Sequence, residues 1–172
     1  DVEVALWARR PAVGASVAKG VGGSVRAEAD LRTACRGATA ICFAVPMGAL
    51  REVARAAGDV TTGDQVALHA CRGVEHGCAL PHEVLRQETC LKKIGALGGP
   101  LYLDDAARGR PLVTVIASRF DEVFALMRTL VQGTPVRVHT THDIVGVELC
   151  GAVSNVAQIA AGLAEGCSLP ET

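Results

Sequence analysis

Apolar residues along this chain alternate between two spacings. Val2 to Leu6, Gln65 to Ala70, Lys93 to Leu97, Pro111 to Ala117 and Val136 to His139 are short runs rich in β-branched residues, expected as strands. Thr39 to Val45 is continuously apolar and is stopped by Pro46, the pattern of a strand covered on both faces. Between these runs apolar residues recur at helical spacing. Helices are expected over Pro11 to Lys19, from an Asp30 cap through Cys35, and over Met47 to Ala57, Pro81 to Cys90 and Phe120 to Val131. Gly20, Gly22 and Gly23 make a loop. Strands separated by helices of about ten residues imply βαβ units, hence an α/β fold with a parallel, doubly wound sheet.

The longest periodic segment runs from Asp143 to Gly162 and reads as one nearly all-apolar helix. Gly146, Gly151 and Ala152 leave room for another backbone to come close. Glu148 and Asn155 lie seven residues apart and share a face, with Gly151 between them. A buried helix that keeps a carboxylate and an amide on one stripe must satisfy them or use them. A boundary is expected near Thr140 to His142, with the sheet domain before it and a helical region after it.

The 172 residues are 49% hydrophobic and 20% charged, enough for a core and incompatible with a disordered chain. The net charge of −1 and the lack of a basic block argue against nucleic acid or an anionic membrane surface as partner. Seven cysteines, several inside apolar runs, are expected as reduced, mostly buried thiols of a cytoplasmic protein, Cys150 and Cys167 as core thiols. No uncharged apolar run reaches membrane-spanning length. Cys71, His76, Cys78 and His82 are close in sequence, but their spacing matches no structural zinc pattern, so no metal is expected. No Ser or Cys has a His and an acid at a spacing recognisable for nucleophilic catalysis. Asp1 opens inside a strand-like run and Thr172 follows a helix, so both ends look cut.

Five stretches carry a family resemblance. Asp143-Ile144-Val145-Gly146-Val147-Glu148, continuing Gly151-Ala152-Val153-Ser154-Asn155, resembles the D-x-x-G-V-E-x-x-G-A-x-K-N run of NAD(P)-dependent glycerol-3-phosphate dehydrogenases. Leu6-Trp7-Ala8-Arg9-Arg10 resembles that family's second strand, Phe43-Ala44-Val45-Pro46-Met47-Gly48 its turn on the nicotinamide side, and His69-Ala70-Cys71-Arg72-Gly73-Val74-Glu75 its T-K-G-[IV]-E strand end. Gly98-Gly99-Pro100-Leu101-Tyr102-Leu103-Asp104-Asp105 is similar to S-G-P-[ST]-F-A-x-E.

The resemblance implies an incomplete, Rossmann-like sheet domain over residues 1–140 lacking its first βα unit, and over 141–172 the first helix of an all-helical C-terminal domain. It implies NAD or NADP as cofactor and hydride transfer between the nicotinamide and dihydroxyacetone phosphate or glycerol 3-phosphate, in the supply of glycerophospholipid precursors. Arg9, Arg10, Val45, Pro46, Arg72 and Leu103 would face the cofactor. Arg72, Gly99, Leu101 and Asn155 would face substrate. A second copy of the chain is a further expected partner.

Several family positions are altered. Ser154 stands at the catalytic Lys, Arg72 replaces the Lys of T-K-G, and Leu101 replaces a hydroxyl residue that touches substrate. Gly98 stands where the family has Ser. The family's G-x-G-x-x-G turn, expected ahead of the strand with Trp7, does not occur in these residues, so cofactor binding is expected to be weak or absent. Impaired activity follows, and the alternative is a non-catalytic relative that keeps the scaffold for binding or assembly.

Overall fold

A computed structural model of the chain describes residues 2–99 and 108–167. Strand β1 (Val4–Trp7) leads into α1 (Pro11–Val21), which has Pro at its first position, and returns as β2 (Val25–Glu28), paired in parallel with β1. β2 is a strand that the apolar pattern does not announce. Only four residues long and mostly solvated, it carries too little alternation to stand out.

Helix α2 (Leu31–Cys35) starts where Asp30 accepts the Thr33 amide at 2.8 Å, a side-chain cap on an otherwise orphan donor. Then come β3 (Ala40–Phe43), α3 (Met47–Gly58), β4 (Val66–His69), α4 (Pro81–Glu88) and β5 (Lys93–Gly98). They are followed by β6 (Leu112–Ser118), α5 (Asp121–Val131), β7 (Val136–Thr141) and α6 (Ile144–Gly166).

The larger sheet has the order β3-β4-β5-β6-β7, and β1 and β2 form a separate ladder. β3, β4 and β5 are parallel, but β6 runs antiparallel to β5, and β7 follows β6 in parallel. The sheet is therefore mixed rather than wholly parallel. An antiparallel neighbour can begin at the edge where β5 ends, whereas a parallel one needs a crossover back along the whole strand. One edge of the sheet thus collects the carboxyl ends of β3, β4 and β5. The opposite edge collects the start of β5 and the ends of β6 and β7.

Two apolar layers cover the sheet. Ile41, Phe43, Ala67, Ile94 and Ala96 meet α3, α4 and the start of α6 through Leu50, Ala54, Val84, Leu85 and Ile144. Val66, Leu68 and Ile116 meet α5 through Val123, Phe124 and Met127. Two burial expectations are corrected. β3 is not covered along both faces, for Cys42 between Ile41 and Phe43 is exposed while Ala40 on the same face is half-buried. Of the seven thiols only Cys35 and Cys71 are buried; Cys150 on α6 and Cys167 just after it are exposed.

α6 starts just after β7 at the lower edge and climbs across β5 and β6 to the upper one. Asp143 caps it by accepting the Gly146 amide at 2.8 Å. Ile144 and Glu148 are buried, while Leu149, Val153, Val156, Ile159 and Leu163 are exposed. By length and composition this 23-residue helix could cross a membrane. Its Glu148, however, is held beneath the helix by the backbone amide and ring of His82.

Candidate functional site

Where α6 passes over the ends of β4 and β5, it roofs a cavity of about 570 Å³ at the upper edge of the sheet. Gly98 makes this crossing possible, since a Cβ there would stand 2.6 Å from Val147 Cγ1. Three backbone elements bring five of the lining residues to its walls: Arg72 after β4, Gly98 and Gly99 at the end of β5, and Glu148 and Ser154 on α6. Gly99 has φ +94, a backbone conformation closed to most side chains.

Arg72 Nη2 donates to the Gly99 carbonyl at 3.1 Å, which aims an exposed guanidinium along the cavity mouth. Opposite, Ser154 Oγ donates to the Gly151 carbonyl of its own helix at 3.0 Å. Cys71 points down into the core toward the carbonyls of Phe43 and Val45, and burial pushes its thiol up to about 11.

Beneath α6 lies a buried polar cluster. Glu148 Oε1 accepts the His82 backbone amide at 2.8 Å, and Oε2 is 2.6 Å from His82 Nδ1. His69 Nε2 is 2.8 Å from Glu148 Oε1, yet out of line for a hydrogen bond, so neither His69 ring nitrogen is satisfied. Burial pushes the Glu148 carboxyl up, but the two imidazoles and the His82 amide outweigh it and hold the group below the ordinary carboxylate range.

The other expected site residues are spread along the same strand ends. Arg9 and Arg10 follow β1 and do not line the cavity. Val45 is half-buried against the core, and Pro46 caps α3. Asn155 is exposed and does not line the cavity, although Ser154 and Gln158 on either side of it do. Leu101 and Leu103 lie outside the described residues. Among the described residues Cys71, His76, Cys78 and His82 are not gathered as a metal site.

Sequence reasoning singles out Glu148 as a buried polar residue in need of partners but does not supply His69 or His82. His82 sits at the second position of a Pro-initiated helix, and no local spacing ties it to a carboxylate 66 residues away.

The family model of the NAD-dependent glycerol-3-phosphate dehydrogenase N-terminus matches residues 3–124. A glycerol-3-phosphate dehydrogenase [NAD(P)+] of Variovorax paradoxus is 35% identical over 97% of this chain and 55% of its own length. One from Halothermothrix orenii is 31% identical over 83% of this chain and 42% of its own. The chain spans about half the length of the curated relatives it matches. Among solved structures, glycerol-3-phosphate dehydrogenase from Coxiella burnetii superposes with a TM-score of 0.86 at 24% identity, over 98% of this chain and 55% of that one. The Dunaliella salina enzyme gives 0.84 at 22%, over 99% and 32%. Both share the fold.

Proposed function

This chain belongs to the NAD-dependent glycerol-3-phosphate dehydrogenase N-terminal family, and from that premise we propose that its cavity binds a three-carbon phosphoester beside a nicotinamide but transfers hydride poorly. Bound NAD or NADP would supply or accept the hydride. What this chain contributes is binding and orientation. Arg72 offers a planar fork for a phosphate at the cavity mouth, with Gly99 letting the ligand approach the backbone.

The bond from Ser154 Oγ to the Gly151 carbonyl carries the reading of poor turnover. A hydroxyl held to its own helix is neutral, short and a weak acid. It cannot replace the ammonium that the resemblance expects at this position to polarise a ketone oxygen. Loss of one such donor alone costs about 10²–10³ in rate.

For the dinucleotide, the residues fit in part. Arg9, Arg10, Val45 and Pro46 follow carboxyl ends of parallel strands, where such ligands bind in open α/β sheets. These strand ends are the part of a dinucleotide site that the described residues supply. In this reading residues 1–140 are the cofactor domain and 141–172 open the substrate domain. The setting is cytoplasmic supply of glycerol 3-phosphate for lipid synthesis.

NADH consumption with dihydroxyacetone phosphate tests the proposal. Turnover far below the enzyme norm is expected, with saturable binding of glycerol 3-phosphate by titration calorimetry. Turnover on the order of 10 per second, or no binding at all, overturns it.

A further inference from the structure

A second cavity, of about 490 Å³, opens at the opposite edge of the sheet, between the end of α4, the start of β5 and the turn from β6 into α5. Its floor is apolar and deep: Leu91, Ile94 and Ile144 are all buried. Its rim is cationic, with Arg86, Lys92 and Arg119 all exposed. Among the described residues no carboxylate lines it, and none pairs with these three side chains. The acids on the same elements are engaged elsewhere. Glu83 accepts the Leu80 amide, Glu88 is held by Arg51 and Arg55, Glu122 faces Lys93 and Asp121 faces His142.

Three unneutralised cations around one apolar hollow repel one another unless an anion sits among them. Two of them are guanidiniums, whose forked donors match phosphate oxygens better than a single carboxylate. The volume suits a small organic ligand, and the buried floor gives its apolar part a place out of water.

We propose that this cavity is a second ligand site, for a phosphomonoester carrying an apolar body, separate from the cavity under α6. Phenyl phosphate is the probe, with phenol and inorganic phosphate supplying its two halves separately and benzoate its monoanionic counterpart. Cys90 and Cys150 make the assay site-specific, because both thiols are exposed and each lines a different cavity. On the full chain, phenyl phosphate at saturation slows Cys90 alkylation at least fivefold and leaves Cys150 within twofold. Each half and benzoate bind at least tenfold more weakly by calorimetry. Arg86→Ala with Arg119→Ala weakens phenyl phosphate at least tenfold, and Arg72→Ala at the other cavity leaves Cys90 protection intact. Protection of Cys150 instead of Cys90, protection of neither, or equal binding of phenol refutes the site. The protection measurement needs no variant, so a poorly folding double mutant does not rescue the idea.

Discussion

Glu148 holds His82 twice, accepting its backbone amide at 2.8 Å and lying 2.6 Å from its Nδ1. A single carboxylate on α6 thereby fixes the first turn of α4, and the long helix is pinned to the sheet domain by a polar contact rather than by apolar packing alone. A hydrogen bond to a charged group is typically worth about 1.5–3 kcal/mol, and removing the carboxylate leaves its buried partners unpaired. Glu148→Ala is expected near the lower end of that range, because the shortened residue leaves room for water. Urea unfolding of both chains measures it, and a loss under about 1 kcal/mol would contradict the anchoring role.

The same group sets an acid limb of stability. Its folded pKa is lowered relative to the ordinary value of 4.5. The unfolded chain therefore takes up a proton at a pH where the folded chain still resists one. The contribution is complete above the ordinary value and is lost as pH falls through the folded one. Stability of the native chain should drop more steeply below about pH 4.5 than that of Glu148→Gln. Parallel pH–stability curves would remove Glu148 from the explanation.

Gly98→Ser restores the residue expected from the family resemblance but places a Cβ 2.6 Å from Val147 Cγ1. Valine is stiff at χ1, so α6 must shift. Overpacking of this kind costs about 1–3 kcal/mol. Thermal or urea unfolding reads the difference, and a Gly98→Ser variant as stable as the parent would show that α6 is not seated tightly on β5.

At the cavity mouth, Arg72→Ala should weaken glycerol 3-phosphate binding at least tenfold while leaving the melting temperature within a degree or two, since Arg72 is exposed and makes one hydrogen bond to a backbone carbonyl. Ser154→Lys alone should not bring brisk turnover, because Arg72 and Leu101 still differ from the family pattern. Calorimetry and NADH consumption read the two variants. Unchanged binding in the first, or dehydrogenase-like rates in the second, counts against the assignment.

The thiols divide by environment. Cys71, buried and pushed up to about 11, carries about a hundredfold less thiolate at pH 8 than a thiol at the ordinary value of 9.0. Iodoacetamide followed by peptide mapping should label Cys90, Cys150 and Cys167 well before Cys71 and Cys35. Early labelling at Cys71 would mean that the loop after β4 opens.

Helices are legible where a cap or a sustained apolar pattern marks them, as from Asp30 and along Asp143 to Gly162, because both signals are local. Strand direction is not. Nothing within Pro111 to Ala117 says whether it runs with or against Lys93 to Leu97, since that depends on which sheet edge the chain re-enters. Burial misleads at Cys42 and Cys150 for a related reason: apolar neighbours predict a covered face only if another element arrives to cover it. At the candidate site, Arg72, Gly99 and Ser154 are found through motif spacing and line one cavity, while Asn155 next in the motif does not. The histidine partners of Glu148 come from β4 and α4, and only tertiary folding joins them.

Among the described residues, α6 is buried only near its beginning, at Ile144 and Glu148. Ser154 lies about 9 Å along the axis from Glu148, and Gly166 about 27 Å along it, at the usual rise per residue. A small tilt about that pivot displaces the far tip roughly three times as much as it displaces Ser154. The helix is in effect an asymmetric lever with its short arm over the mouth of the cavity. A body docked against the exposed Val156, Ile159 and Leu163 would therefore have mechanical advantage over how wide that mouth stands.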